Sequence, residues 1–210
     1  MSAIDLSADV GLVAVGLVTL NLLLGLMMAL RYSPKRDWPH RRFNYFRIHN
    51  WTGYILMGTV ILHPIVLLFS HTAGFRIRDI LYPVHSPVQP LDNTIGAIAL
   101  YLLAIVVVTS YVRLQLGRKI WKSFHFVVYA AGAALFWHSI FTNSELKTTP
   151  IDPLDAEKVF IEVCLLVVMG IGVLRWRHAV KRARESRLKV AAVQKTGPAF
   201  AGPHGSEDRS

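Results

Sequence analysis

The chain has 210 residues, of which 53% are hydrophobic and 17% charged, against roughly 25% charged in an ordinary soluble domain. That deficit excludes a typical water-soluble enzyme. The single cysteine, Cys164, excludes a disulfide framework, a Cys-x-x-Cys-His haem attachment and a four-cysteine iron–sulfur site.

The charges are segregated along the chain. No Asp, Glu, Lys or Arg occurs between Val10 and Leu30, Ile48 and Phe75, Asn93 and Val112, or Ser123 and Ser144. Each gap has the roughly 17 to 25 residues that a bilayer-crossing helix needs. A fifth apolar stretch, Val159 to Leu174, holds Glu162 and needs residues from its flanks to span. The pattern predicts an all-α integral membrane bundle of five transmembrane helices, at about 10–30, 47–70, 93–112, 123–141 and 156–175. Asp5 and Asp9 precede the first span, where a cleavable signal would carry basic residues, so that span is expected to stay as a helix.

The formal net charge of +10 would suit a nucleic-acid binder, but its placement reads as topology instead. Six basic residues follow the first span, four follow the third and nine lie from Arg175 onward, so 19 of the 23 fall in alternate segments. By the positive-inside rule the N-terminus is outside and the C-terminus inside. The expected location is the plasma membrane, the inner membrane of a bacterium, with lipid and no nucleic acid as partner.

Between the second and third spans, HTAGFRIRDILYPVHSPVQPLDN is long for a helix connector and is expected to cap the outer face. The second outer loop ends in a helix start, with Asp152 or Asp155 as N-cap. Residues 1–176 are expected to form one membrane domain. The tail, 177–210, starts as a basic helical continuation suited to anionic lipid or an acidic flavoprotein, then becomes a Gly-, Pro- and polar-rich stretch that reads as disordered. No repeat and no GxGxxG or GxxxxGK[ST] phosphate loop occurs, so neither route to a nicotinamide or ATP is present.

Ionisable residues inside a membrane are functional candidates by default. The second span, RIHNWTGYILMGTVILHPIVLLF, carries His49 and His63 fourteen residues apart, which puts them about 40° from a common face and about 21 Å apart along the axis. The fourth span, WKSFHFVVYAAGAALFWHSIF, carries His125 and His138. Both spans run the same way, so depth can be matched from their basic anchors, Arg47 and Lys122. His49 and His125 lie two and three residues beyond these anchors, and His63 and His138 each lie sixteen beyond. The pairs are therefore His49 with His125 and His63 with His138.

Two imidazoles facing each other from different helices are what a non-covalent b-type haem requires, and bundle cores are where such cofactors are held. Two stacked pairs would make an electron wire. The rival readings are buried histidines bonded to backbone, or a zinc site, whose ligands must all converge on one ion. One geometric conflict stands: thirteen ideal steps leave His138 about 140° from His125. Either the helix is overwound or bent around Ala130-Ala131-Gly132-Ala133-Ala134, or the two haems meet it from different sides.

The motifs HNWTGYILMGTVILHP and GRKIWKSFHFVVYAAGAALFWHS resemble the haem-binding helices of the ferric reductase-like transmembrane domain superfamily. That superfamily includes ferric reductases, NADPH oxidases and the haem subunit of the periplasmic methionine sulfoxide reductase system. The resemblance covers about Phe46 to Ile140 by motif, and the first and fifth spans by topology. In the oxidase branch the histidines of the second haem helix are also thirteen apart.

The resemblance implies two haem b groups, an inner one on His49 and His125 and an outer one on His63 and His138, with electrons flowing outward. The outer acceptor would be ferric iron or a periplasmic or extracellular partner oxidoreductase. The family's flavin and nicotinamide domains have no counterpart here, so a separate cytoplasmic flavoprotein reductase, or quinol, is the expected donor. Oxidases carry a further histidine one turn beyond the outer ligand, where this sequence has Leu67, a departure from superoxide production. A quinol-oxidising cytochrome b anchor and a haem-free transporter or assembly factor are the alternative functions.

Several cations fit secondary roles. Arg47, Arg113, Arg118 and Lys122 are placed either to pair with inner haem propionates or to anchor the helices at the inner surface. Arg76 and Arg78 break the positive-inside pattern and suit the outer propionates or an anionic acceptor. His71 and His85, in the outer cap, are candidates for an acceptor site.

Overall fold

The first helix, α1 (Ala3–Ala29), starts in a capping box: Ser2 Oγ accepts from the Asp5 amide at 3.1 Å, and Asp5 accepts from the Ser2 amide at 2.8 Å. These bonds satisfy amides that a helix start otherwise leaves without partners. In the computed structural model residues 2–30, 44–70, 73–143, 152 and 154–195 are described. His71 and the tail beyond residue 195, including its expected disordered stretch, lie outside them.

Asn44 caps α2 (Tyr45–Leu67), accepting from the Arg47 amide at 3.1 Å. A short α3 (Ile77–Leu81) and a single 3-10 turn (Pro83–His85) follow. They occupy the connector that was expected to form a cap, and the Tyr101 hydroxyl ties it down by donating to the Leu81 carbonyl. Gln89 takes a left-handed conformation (φ 46°) just before α4 (Pro90–Tyr111). Its side-chain oxygen accepts from the Asn143 amide at 2.9 Å, which fastens the start of α4 to the end of the helix beside it.

The fourth span is two helices, α5 (Arg113–His125) and α6 (Val127–Phe141), joined at Phe126. Gly117, at φ 74° and ψ 157°, breaks the helical path within α5. That conformation carries little penalty only for glycine. An overwound or bent helix around Ala130–Ala134 was one of the two ways to reconcile the angle; the irregularity lies instead at Phe126, where the Tyr129 amide bonds the Phe126 carbonyl three residues back at 3.2 Å. One such tight turn climbs about 1.5 Å more than an α-turn over three residues. The thirteen residues from His125 to His138 therefore rise about as far as fourteen in a regular helix, about 21 Å. At about 120° per residue over that turn, the angular offset of His138 from His125 falls from about 140° to about 80°.

The last helix, α7, runs from Ala156 to Lys195 and begins directly after Asp155, one of the two expected starts. Forty residues make about 60 Å, twice the hydrocarbon thickness of about 30 Å. Its distal part carries the basic residues on an exposed helix.

Five helical segments are long and apolar enough to cross a membrane, and no strand occurs among the described residues. The protein is thus an all-α, multi-pass membrane bundle. Helix α1 packs along α2 and α4 along α6, while α7 lies against α1 and α6. Arg175 Nη1 donates to the Tyr129 hydroxyl at 2.5 Å, pinning α7 beside α6. The buried core includes Val15, Val18, Leu22, Leu56, Leu103 and Leu135. Leu56 lies midway between His49 and His63 in sequence, so an apolar layer separates the two histidine depths.

Candidate functional site

The four span histidines meet as two cross-helix pairs. The ring centres of His49 and His125 are 6.1 Å apart with planes at 73°, and those of His63 and His138 are 6.2 Å apart with planes at 74°. An imidazole nitrogen sits roughly 2 Å from a bound first-row metal and about 1.1 Å from its own ring centre, so two rings on opposite sides of one iron have centres about 6.2 Å apart. Both separations match that value.

Each ring is held from behind by a neighbouring helix. Nδ1 of His49 lies 3.2 Å from the Asn21 carbonyl, Nδ1 of His63 2.8 Å from the Ser7 carbonyl, and Nδ1 of His138 2.8 Å from the Asp92 carbonyl. A carbonyl only accepts, so in these three residues Nδ1 carries the proton and Nε2 keeps its lone pair. That tautomer is the one a metal-binding Nε2 requires, and a hydrogen bond at the other nitrogen is the usual way to fix it.

The fourth ring is held differently. His125 Nδ1 lies 3.3 Å from Ser110 Oγ, which also accepts from Trp121 Nε1 at 3.3 Å, and the Trp121 ring covers His125 at 5.1 Å between centres. At the other pair two hydroxyls add to the carbonyl bonds. Ser7 Oγ lies 3.2 Å from His63 Nδ1 and donates to the His63 carbonyl at 2.9 Å, and Thr142 Oγ1 lies 3.1 Å from His138 Nδ1.

Four residues after each accepting carbonyl stands a glycine: Gly11 after Ser7, Gly25 after Asn21 and Gly96 after Asp92. A Cβ at Gly96 would lie 2.9 Å from His138, one at Gly11 3.2 Å from His63 and one at Gly25 3.5 Å from His49. The bare backbone is what lets a ring come close enough to reach the carbonyl one turn back. Gly11 and Gly25 are fourteen residues apart, as are Gly96 and Ser110, and as are His49 and His63. This shared spacing is a sequence signal for the helices that hold the rings, which the histidine positions alone do not give.

A cavity of about 170 Å³ opens on His63 and His138, bordered also by Ser7, Gly11, Asp79 and Lys158. Among the described residues no three His, Cys, Asp or Glu side chains converge as a metal-ion cluster. A free ion would find two ligands at each depth, whereas a tetrapyrrole iron supplies four nitrogens of its own and needs only two more. The residues present fit haem.

The secondary candidates are more scattered. Arg47 and Arg118 are exposed. The half-buried Arg113 sits with its guanidinium 4.8 Å over the Phe46 ring, and the Lys122 ammonium is 5.7 Å over Phe126. Arg76 is exposed, and Arg78 pairs with Asp79 at 3.5 Å; neither borders the cavity. His85 is exposed on the 3-10 turn away from the cavity. The cation that does border it is Lys158, to which the sequence pattern assigned no role.

Fold and paired imidazoles together define a class: a helical membrane bundle built around histidines matched in depth on two of its helices. The family model described as the ferric reductase-like transmembrane component matches residues 10–136, more than half of the chain and inclusive of His49, His63 and His125. The chain belongs to this family, whose members generally bind haem and carry out transmembrane electron transfer. No curated protein and no solved structure matches the chain.

Proposed function

We propose that the protein is a b-type dihaem cytochrome, with His49 and His125 as axial ligands of one haem and His63 and His138 of the other. The observation that carries this reading is the pair of ring separations, 6.1 and 6.2 Å, each the spacing at which two imidazoles would hold one haem iron between them. Bound there, haem supplies a one-electron carrier at each depth, so charge crosses the hydrocarbon with no open pore.

The chain's own residues do the rest. The Ser7, Asn21 and Asp92 carbonyls and the Ser110 hydroxyl hold each Nδ1 and aim the rings. The Val18, Leu56 and Leu103 layer keeps water from between the two depths. The Arg- and Lys-rich segments put the His49 and His125 end in the cytoplasm by the positive-inside rule, in a plasma or bacterial inner membrane. The donor in this reading is a cytoplasmic flavin- or NAD(P)H-linked reductase meeting the basic part of α7. The acceptor is ferric iron or a partner oxidoreductase on the outer side.

The test is spectroscopic. Purified protein should show a b-type alpha band in the reduced-minus-oxidised spectrum and about two haems per chain by pyridine haemochrome. His63→Ala and His138→Ala should each lose the same haem, and His49→Ala and His125→Ala the other. Absence of haem, or loss of different haems by the two members of a pair, would refute the assignment.

A further inference from the structure

Lys158 is only 6% exposed, in the first turn of α7. Its ammonium donates to the Ser139 carbonyl at 2.8 Å and the Thr142 carbonyl at 2.6 Å, at the end of α6. An ammonium has three N–H donors, and the third meets no acceptor among the described residues. No described carboxylate lies within ion-pair distance of it. A buried cation is costly unless a counter-charge bonds it; the carboxylates of Glu157, Asp155 and Asp92 act on Lys158 only from beyond bonding distance, and two carbonyl dipoles are not a full charge.

The surroundings point to where the missing anion goes. Lys158 borders the same cavity as His63 and His138. It also sits at the N-terminal end of α7, where the unpaired amides of a helix favour negative charge. Of the acidic groups along the cavity, Asp79 is committed to the Arg76 amide at 3.0 Å and to Arg78, and Glu157 is half-exposed.

Resting on the haem reading above, we infer that Lys158 is the carboxylate-binding cation of this cavity. The carboxylate is either a propionate of the tetrapyrrole held between His63 and His138 or that of an anionic electron acceptor entering from the same end. Carboxylate binding by a desolvated ammonium is a charge-assisted hydrogen bond, the stronger kind.

Haem-stripped wild type, Lys158→Met and Lys158→Arg should be reconstituted with protohaem and with its dimethyl ester, and haem affinity followed at each depth. The His49 and His125 haem reports whether each variant has folded. If the carboxylate is a propionate, wild type prefers the diacid at the His63 and His138 depth by about tenfold or more. Lys158→Met then abolishes that preference and Lys158→Arg keeps it.

If the carboxylate belongs to an acceptor, the haem preference stays unchanged in Lys158→Met. The KM for ferric citrate then rises about tenfold, while that for an uncharged ferric complex does not. Both ratios unchanged in Lys158→Met, with haem at both depths, would overturn the inference alone. No haem at either depth of wild type would overturn the haem reading and this inference with it.

Discussion

Gly96 and His138 touch so closely that a Cβ added to the glycine would lie 2.9 Å from both Nδ1 and Cε1 of the ring. Alanine in place of a mid-helix glycine ordinarily stabilises by roughly 0.5–1 kcal/mol; here the sign reverses. Gly96→Ala is expected to push the His138 ring off the Asp92 carbonyl and to lose the haem of that depth. Gly11→Ala, with 3.2 Å to His63, should weaken it, and Gly25→Ala, with 3.5 Å to His49, should keep its haem. Gly58, with nothing within 4 Å, is the control. Haem per chain across the four variants checks the order, and full occupancy in Gly96→Ala contradicts it.

Ser110 tunes a single histidine. Its hydroxyl lies 3.3 Å from His125 Nδ1; in the dihaem reading, where Nε2 would hold the iron, Nδ1 donates to it, which would make the imidazole more electron-rich and favour ferric over ferrous iron. Ser110→Ala should therefore raise the midpoint potential of the His49 and His125 haem. The shift should be on the order of 20 mV, since a tenfold change in a one-electron equilibrium is 59 mV. A redox titration resolving the two haems would show the other unmoved; a downward shift, or one at the wrong depth, counts against this role.

Leu56 is 2% exposed in the apolar layer between the two depths. Leu56→Ala leaves a cavity there and should cost about 2–5 kcal/mol, read as a lower thermal transition in detergent. Both haem bands should survive at low temperature, because Leu56 takes no part in the hydrogen bonds that hold the rings. A variant as stable as wild type would show that the layer closes up around the loss.

The membrane architecture was legible because charge is excluded from hydrocarbon: four of the five spans are bounded by the nearest Asp, Glu, Lys or Arg. The pairing was legible because Arg47 and Lys122 mark the same surface on two parallel helices. What held the rings was not, because Ser7, Asn21 and Asp92 act through backbone carbonyls, which no residue type announces. The joint at Phe126 was not legible, because the residues there carry no glycine or proline and the small residues of the Ala130–Ala134 stretch offered one of two readings of the angle. The deciding event is one hydrogen bond shifted from four residues back to three. Lys158 was missed because its significance lies in the two carbonyls it reaches on another helix.

The fourteen-residue interval recurs in α1, α2 and α4, and the tight turn at Phe126 brings the α5–α6 pair to the same rise. Four helices thus share one pitch between two storeys. Removing a single residue between Gly11 and Gly25 would swing one of these notches about 100° and lift it about 1.5 Å against its histidine. Substitutions on the lipid-facing sides leave that register intact. Variation in this bundle is therefore free in side-chain identity over much of its surface and closed in length, so in the dihaem reading the distance an electron would cross is set by residue count.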